Sequence, residues 1–417
     1  MRLSEPARPL GVPSLLALGL NGVVGVGIFF APSVVARLAP GWVGVAMFAA
    51  VGALLLPVAA AFARLSAHLP EDGGPIVYAR AAFGEGAAFL VGWISYLSAL
   101  ASTAAVISGL VHHGLSLSPA HERIAMVATA LVLASVSALG LSPSANVWTG
   151  LTALKLAPLL ALVALSLFAA PTAPVTSVAL PSPEMLARAA LTVTFAYQGF
   201  EIVPLVSGQA RSPSRSVPIA ILGTMGLAAL LYVLLQRAAV GHVEGLASSL
   251  SPLRDAGASL GGATFGKLVL IGTSVSALGI AFGMVVMTPR YLAGLGPGHV
   301  GARLAASDAR GVPRASLLLT VVLVSLLLVA GSGGQLFALS SVAVLSQYGM
   351  TGLALLVLAL RRSRGLRPID AWPAPFVIGL GVVLVVFGGS RWEWLVAGSA
   401  VVVGVALRAA AKALSWR

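Results

Sequence analysis

Cysteine is absent from the 417 residues, and charged residues make up only 9% of them. The first absence excludes disulfides, thiol catalysis and cysteine-ligated metals. The second, together with 58% hydrophobic residues and a mean hydropathy of +1.00, excludes an ordinary soluble domain. The chain is therefore expected to reside in a lipid bilayer.

Long apolar runs fill the chain from end to end. Each is about 20 residues long, the length that a helix needs to cross a bilayer. The sequence predicts an all-α polytopic membrane protein with twelve transmembrane helices, and no cleavable signal peptide. The runs are residues 13–38, 41–66, 86–111, 122–141, 146–169, 186–209, 216–240, 264–293, 314–332, 335–360, 374–390 and 393–411.

Acidic residues are scarce: there are 12, against 25 basic residues, which gives a net charge of +13. If the N-terminus is cytoplasmic, 17 of the basic residues fall on the inner side of the membrane, seven fall on the outer side, and Lys155 lies within a run. This asymmetry obeys the positive-inside rule and predicts that both termini are cytoplasmic. The excess of positive charge is thus a topology signal, and no nucleic acid partner is expected.

Two of the apolar runs are interrupted. Residues 21–32, "NGVVGVGIFFAP", place three glycines in six positions before Pro32, and in "FAYQGFEIVP" of the sixth run Gly199 and Pro204 bracket Glu201. Glycine and proline weaken a helix interior. Close helix packing alone could explain the glycines. Matched interruptions five runs apart favour instead an inverted repeat with a binding site near the midplane.

Two ionisable residues lie at the same depth as the first interruption. Glu201 is the only acid in the core of a run, and Lys155 lies in the middle of the fifth run. At 1.5 Å per residue, these residues and Gly25 lie roughly 13 to 23 Å into a core of ~30 Å. A charge at this depth costs several kcal/mol, so it usually faces a cavity or a partner. A broken helix also offers N–H and C=O groups, which suit a ligand that bears a carboxylate and an ammonium.

Several motifs resemble the amino acid-polyamine-organocation superfamily of transporters: "GVGIF", "HLPEDGGPIVYARAAFGE", "LTALKLAPLL", "FAYQGFEIVPLVSGQARSPSRSVPIAI" and "RGVPRASLLL". The resemblance covers essentially the whole chain. It implies the LeuT-type fold, a 5+5 inverted repeat in which helices 1 and 6 are broken. The first repeat would occupy residues 1–170 and the second residues 171–360, with helices 11 and 12 and the tail in 361–417. It also implies alternating-access transport of amino acids or related amines.

The resemblance assigns backbone groups at both interruptions to the substrate. Amides would bind the α-carboxylate and carbonyls would accept hydrogen bonds from the α-ammonium. Phe195 would in addition close over the substrate as a gate. The amides are those of Gly25, Val26 and Gly27, and the carbonyls are those of Val23, Phe195, Ala196 and Gln198.

Three side chains complete the predicted site. Lys155 matches a lysine that stands in for a sodium ion beside the broken first helix of some members, and Ser276 is assigned to the same cation site. Glu201 is a substrate-side residue whose type varies among relatives. This set predicts sodium-independent transport, and Glu201 and Lys155 together favour proton coupling.

The predicted partners are a small amino acid, most simply a neutral L-amino acid, protons and the bilayer of the plasma (cell inner) membrane. Neutral substrates are favoured because the runs hold no second mid-span acid. Exchange, export, a cationic amino acid or polyamine carrier and a non-transporting receptor stay open, as does the oligomeric state. No enzyme is expected, because the sequence offers no HExxH motif, no acid pair and no convergent histidine set; catalytic residues, a metal site and a cofactor are not predicted.

Overall fold

The structure is almost entirely helical, as the apolar runs predict. The computed structural model describes residues 10–114, 118–140, 145–173 and 180–415. Within these ranges the only β-type pairing is a single bridge between Leu10 and Ala210. The α-helices are α1 (Val12–Val23), α2 (Val26–Leu38), α3 (Trp42–His68), α4 (Pro75–Phe83), α5 (Glu85–Gly114), α6 (Pro119–Ala138), α7 (Ala145–Phe168), α8 (Pro183–Tyr197), α9 (Pro213–His242), α10 (Pro252–Gly294), α11 (Pro297–Val300), α12 (Ala302–Ala305), α13 (Arg314–Ala330), α14 (Gly333–Leu360), α15 (Ala374–Gly388) and α16 (Arg391–Ser415).

Many of these helices are membrane spans by length and composition. Among the described residues nine helices qualify, and the bent pair α1–α2 makes a tenth. Residues 154–168 of α7 and helix α13 are shorter apolar helices. The chain is therefore a polytopic helical membrane protein. Each predicted run overlaps one of these helices or a helix pair, whereas a count of twelve crossings stays a prediction.

The first run is broken where its glycines predict. Helix α1 ends at Val23 and α2 begins at Val26, with a bend of 41° between their axes. Gly25 adopts an extended conformation between them. Pro32, by contrast, lies inside α2 and interrupts nothing, so its predicted part in the break is wrong. A proline can remain within a transmembrane helix when neighbouring groups satisfy the backbone around it.

The sixth run is broken just before its acid. Helix α8 ends at Tyr197, and a 3₁₀ helix occupies Phe200–Gln209. Gly199 has a φ of +122°, which residues with a Cβ rarely adopt. Pro204 lies inside the 3₁₀ helix, so this proline does not mark a second edge of the break, contrary to the sequence prediction. A glycine thus makes each break.

Contacts between helix ends and loops bring four segments together at one end of the bundle. Because three of them contain arginine, this end is called the basic end. It comprises residues 10, 64–83, 208–211 and 361–371. The contacts that join them are Leu10 with Gln209 and Arg211, Asp72 with Gly208, Arg64 with Asp370, and Arg361 with the carbonyl of Ala82. These segments belong to the side that the charge pattern assigns to the cytoplasm.

Candidate functional site at the two helix breaks

The two breaks lie against each other in the core. A Cβ built on Gly199 would collide with the backbone of Gly22, and one on Gly22 would lie 2.8 Å from the Gly199 carbonyl oxygen. Further along α2, a Cβ on Gly27 would lie 2.5 Å from the Cα of Ala196. Glycine is needed at these positions because backbone meets backbone. The two breaks are therefore in contact, and Gly27 of the predicted amide set lies against Ala196 of the predicted carbonyl set.

Lys155 of α7 reaches the first break. Its Nζ donates to the carbonyl oxygen of Asn21 (3.0 Å), to the Oδ1 of Asn21 (2.7 Å) and to the carbonyl oxygen of Val24 (2.5 Å). An ammonium has three N–H donors, so these oxygens account for all of them. The Lys155 side chain is 0% exposed. Three oxygens around one buried positive charge form the kind of environment that a hard cation would occupy.

Ser276 of α10 lies on the helix face that runs past this position. One turn before it, a Cβ on Gly272 would lie 3.0 Å from the carbonyl oxygen of Leu154, and one turn after it Ile280 lies beside Gly25. Ser276 is buried. The hydrogen bonds described for Lys155 go to α1 and the break, so Ser276 is not among its described hydrogen-bond acceptors, and its assignment to the cation site stays a prediction.

Two predicted carbonyl acceptors already hold a donor. The Val23 carbonyl oxygen accepts from the Tyr232 hydroxyl at 2.7 Å, and that of Phe195 accepts from the Gln198 N–H at 3.2 Å. A carbonyl oxygen has two lone pairs, so each of these two oxygens can accept a second hydrogen bond. Tyr232 in turn packs against Tyr197, with 5.0 Å between ring centroids.

The amides of Gly25, Val26 and Gly27 form the start of α2. This 13-residue helix begins without a side-chain cap. The first N–H groups of a helix lack partners within it and carry partial positive charge. Their position at the break is suited to a carboxylate.

Phe195 and Gln198 connect the second break to α14. The Phe195 ring stacks on Phe337 with centroids 4.6 Å apart. Gln198 accepts through Oε1 from Ser340 at 2.9 Å and donates through Nε2 to Ser341 at 3.3 Å. Phe195 is thus buried beside Phe337, and its role as a gate stays a prediction.

Glu201 faces back onto its own break. Its Oε2 accepts from the Gly199 N–H at 2.8 Å and from the Tyr348 hydroxyl at 3.1 Å. Both donors can stabilise a carboxylate. They occupy Oε2, and the predicted role of Glu201 towards a substrate stays a prediction. In this conformation Glu201 therefore joins the second break to α14.

Comparison with known proteins decides the family. Residues 10–400 match the family model described as amino acid permease. This chain belongs to that family. A transporter of Mycobacterium tuberculosis whose function is uncharacterized is 30% identical over 423 aligned residues, which cover 97% of this chain and 91% of that protein.

Two further relatives carry names that specify amino acids. The serine/threonine exchanger of Bacillus subtilis is 24% identical over 68% of the permease and 67% of its own length. The Asc-type amino acid transporter 1 of Mus musculus is 25% identical, with 91% and 80% covered. The permease is thus similar to amino acid transporters, and the family consists of transporters rather than enzymes.

Three residues that contact the predicted site of the permease were not predicted from the sequence. Asn21 supplies two of the oxygens around Lys155, Tyr232 holds the carbonyl of Val23, and Tyr348 holds Glu201. A signal for Asn21 was available, because the chain contains only two asparagines and this one opens the glycine-rich stretch. The tyrosines gave no such signal, since a tyrosine in an apolar helix often only packs.

Proposed function

We propose that this permease is a secondary active transporter that moves neutral L-amino acids across the plasma membrane by alternating access. The proposal includes twelve spans with both termini cytoplasmic. It also includes inverted repeats in residues 1–170 and 171–360, with 361–417 outside them. The juxtaposed breaks carry this proposal, because a mobile interface between two repeats needs its binding groups on both sides.

Substrate recognition would use the backbone groups described above. The start of α2 would hold the carboxylate, and carbonyls of Val23, Phe195, Ala196 and Gln198 would hold the ammonium. These groups would contact only the carboxylate and the ammonium, which all amino acids share, so they would not select a particular side chain. The relative named for serine and threonine exchange supports a neutral side chain. A relative named as a cationic amino acid transporter, 26% identical over 88% of this chain, supports a cationic substrate as the alternative.

Lys155 would replace a coupling metal ion. Its ammonium binds the oxygens of Asn21 and Val24, which leaves no need for sodium at this position. Glu201, a second ionisable group at a break, would act together with Lys155 in exchanging the proton that drives uptake. Exchange without a gradient is the second candidate, because a lysine with three acceptors can serve as a fixed charge throughout the cycle.

Transport by purified protein in proteoliposomes tests the proposal. A thermal-shift screen of the twenty amino acids first identifies ligands. Radiolabelled hits are then offered under imposed pH and sodium gradients, with counterflow measured in parallel. Accumulation driven by an inward proton gradient and indifferent to sodium is expected. Binding without uptake or counterflow would identify a receptor, and strict sodium dependence would contradict the role given to Lys155.

Replacement of Glu201 by glutamine is expected to change the pH dependence of uptake. The substitution keeps the shape and the contact with Tyr348 but removes the exchangeable proton. Uptake measured across physiological pH, from about pH 5 to 8, should depend less on pH, because glutamine exchanges no proton, and the melting temperature should change little. Glu184→Gln, on the exposed start of α8, is the matched control. An unchanged pH profile in Glu201→Gln would assign Glu201 a structural role only.

A further inference from the structure

The loop between α14 and α15, residues 361–373, is unusually rich in exposed arginine. Arg361, Arg362, Arg364 and Arg367 are all exposed. The same loop contains one acid, Asp370, which is buried and bonded to Arg64 at 2.7 Å. Its second oxygen accepts from the backbone N–H of Arg367 at 2.8 Å. The only acidic residue of the loop therefore forms an ion pair with Arg64, which lies outside the loop.

The four arginines have no acidic partner among the described residues. Arg361 donates to the neutral carbonyl of Ala82 at 3.1 Å. No ion pair involves the side chains of Arg362, Arg364 or Arg367 in the described part of the chain. Four positive charges within seven residues repel one another unless an anion lies among them. The loop thus presents uncompensated charge.

Large apolar side chains are exposed beside these charges. Ile369 is 74% exposed and Trp372 is 48% exposed, and both lie in the loop that leads into the apolar helix α15. Phe83, next to the Ala82 carbonyl that binds Arg361, is also exposed. Tryptophan next to the end of a spanning helix is typical of the membrane interface. The apolar groups therefore place this loop at the level of lipid headgroups.

The loop is held in place by its own core contacts. Leu366 is 1% exposed and Gly365 lies against His68 of α3. With the Arg64–Asp370 pair, these contacts tie the loop to the end of α3. The arginines and the apolar side chains are accordingly presented on a fixed scaffold. A fixed scaffold loses little entropy when it binds a ligand.

We propose that residues 361–373, with Phe83, form a binding site for the headgroup of an anionic phospholipid. The arginines would contact the phosphate, whose negative charge is not offset by a choline cation in an anionic lipid, and Ile369 and Trp372 would insert among the acyl chains. Basic residues next to a spanning helix attract anionic lipid at a membrane surface. This site is independent of the transported substrate and of the coupling ion, so its test does not depend on transport.

The absence of cysteine permits a direct test. Ile369→Cys creates a unique attachment point for a fluorophore on the full-length protein. The labelled permease is reconstituted into vesicles that contain either brominated phosphatidylglycerol or brominated phosphatidylcholine at equal mole fractions. Quenching by the anionic lipid is expected to be stronger, since each arginine near an anionic surface favours it by up to about fivefold.

Matched charge variants then distinguish a local lipid site from an effect of the total positive charge on the predicted cytoplasmic side of the protein. Arg362→Gln/Arg364→Gln/Arg367→Gln should abolish the preference for phosphatidylglycerol. The control Arg211→Gln/Arg215→Gln/Arg303→Gln removes three exposed charges from other segments and should retain the preference. Size-exclusion profiles verify that both proteins are folded.

Three results would overturn the proposal. Equal quenching by the two brominated lipids would show that the loop contacts lipid without selecting charge. An equal loss in both triple variants would assign the effect to total charge. Abolition of the preference by millimolar inorganic phosphate would identify a site for soluble phosphate instead of a lipid headgroup.

Discussion

Lys155→Ala is expected to reduce uptake by roughly 100-fold while the protein remains inserted in the membrane. The substitution leaves the carbonyl oxygens of Asn21 and Val24 and the side-chain oxygen of Asn21 without their donor. An unsatisfied buried acceptor costs about 1–3 kcal/mol, so the three groups would rearrange and the position of α1 at the break would change. The expected primary defect is therefore in transport.

Uptake in proteoliposomes measures the defect in transport, and the melting temperature measures any loss of stability. Lys267→Ala is the matched control, because Lys267 is exposed on α10 and should tolerate the change. Asn21→Ala removes one of the three acceptors and should give a smaller defect than Lys155→Ala. Full uptake by Lys155→Ala would exclude a cation role for this lysine.

The same variant distinguishes two forms of the mechanism. If Lys155 releases and regains a proton in each cycle, uptake by the unmodified protein follows the proton gradient and Lys155→Ala uncouples it. If the ammonium stays charged, the unmodified protein exchanges amino acids independently of both gradients, and the variant loses affinity or asymmetry. Uptake under imposed gradients separates the two because only the first predicts accumulation.

The breaks were predictable from the sequence because their cause is local. Glycine at 25 and at 199 weakens a helix wherever the helix lies, and both positions are indeed non-helical. Pro32 and Pro204 misled for the opposite reason. A proline removes one N–H donor and strains one turn, and the surrounding protein decides whether that turn stays helical. Those surroundings come from helices that are distant in the chain, so the residues next to a proline do not reveal them.

Partners across the bundle could not be predicted because they depend on how the helices pack. Lys155 was identified from its depth, yet the order of the runs did not indicate that Asn21 would lie opposite it. Glu393 illustrates the same limit. It lies at the start of the last helix and not in the core of a run, yet it is 0% exposed, with Arg188 of α8 at 3.6 Å. The depth of a charged residue along a span predicts the free energy that its charge costs there. Whether the residue is buried depends on the helices that pack around it.

Gly27→Val is expected to abolish amino acid binding, and the structure adds that it should also lower stability. A Cβ at Gly27 would lie 2.5 Å from the Cα of Ala196 and 3.1 Å from its Cβ. Backbone atoms cannot move aside as the end of a side chain can, so α2 and α8 must separate. Loss of binding by this variant alone would therefore not distinguish ligand exclusion from altered packing.

Gly25→Ala makes that distinction. Its Cβ would come close to the Cδ1 of Ile280 at 2.8 Å, the flexible end of a side chain, and would make an ordinary contact with the carbonyl oxygen of Val23 at 3.8 Å; its extended backbone accepts any residue. The fold should therefore persist, with a melting temperature near that of Gly226→Ala, a control on α9 whose Cβ points into open space. Binding should nevertheless weaken at least tenfold, because a Cβ at the break hinders the close approach of a carboxylate to the first N–H groups of α2. Amino acids esterified at the carboxylate should fail to compete with the free amino acid in a scintillation-proximity assay. Equal competition by the esters, or full binding by Gly25→Ala, would show that the carboxylate site is not at the start of this helix.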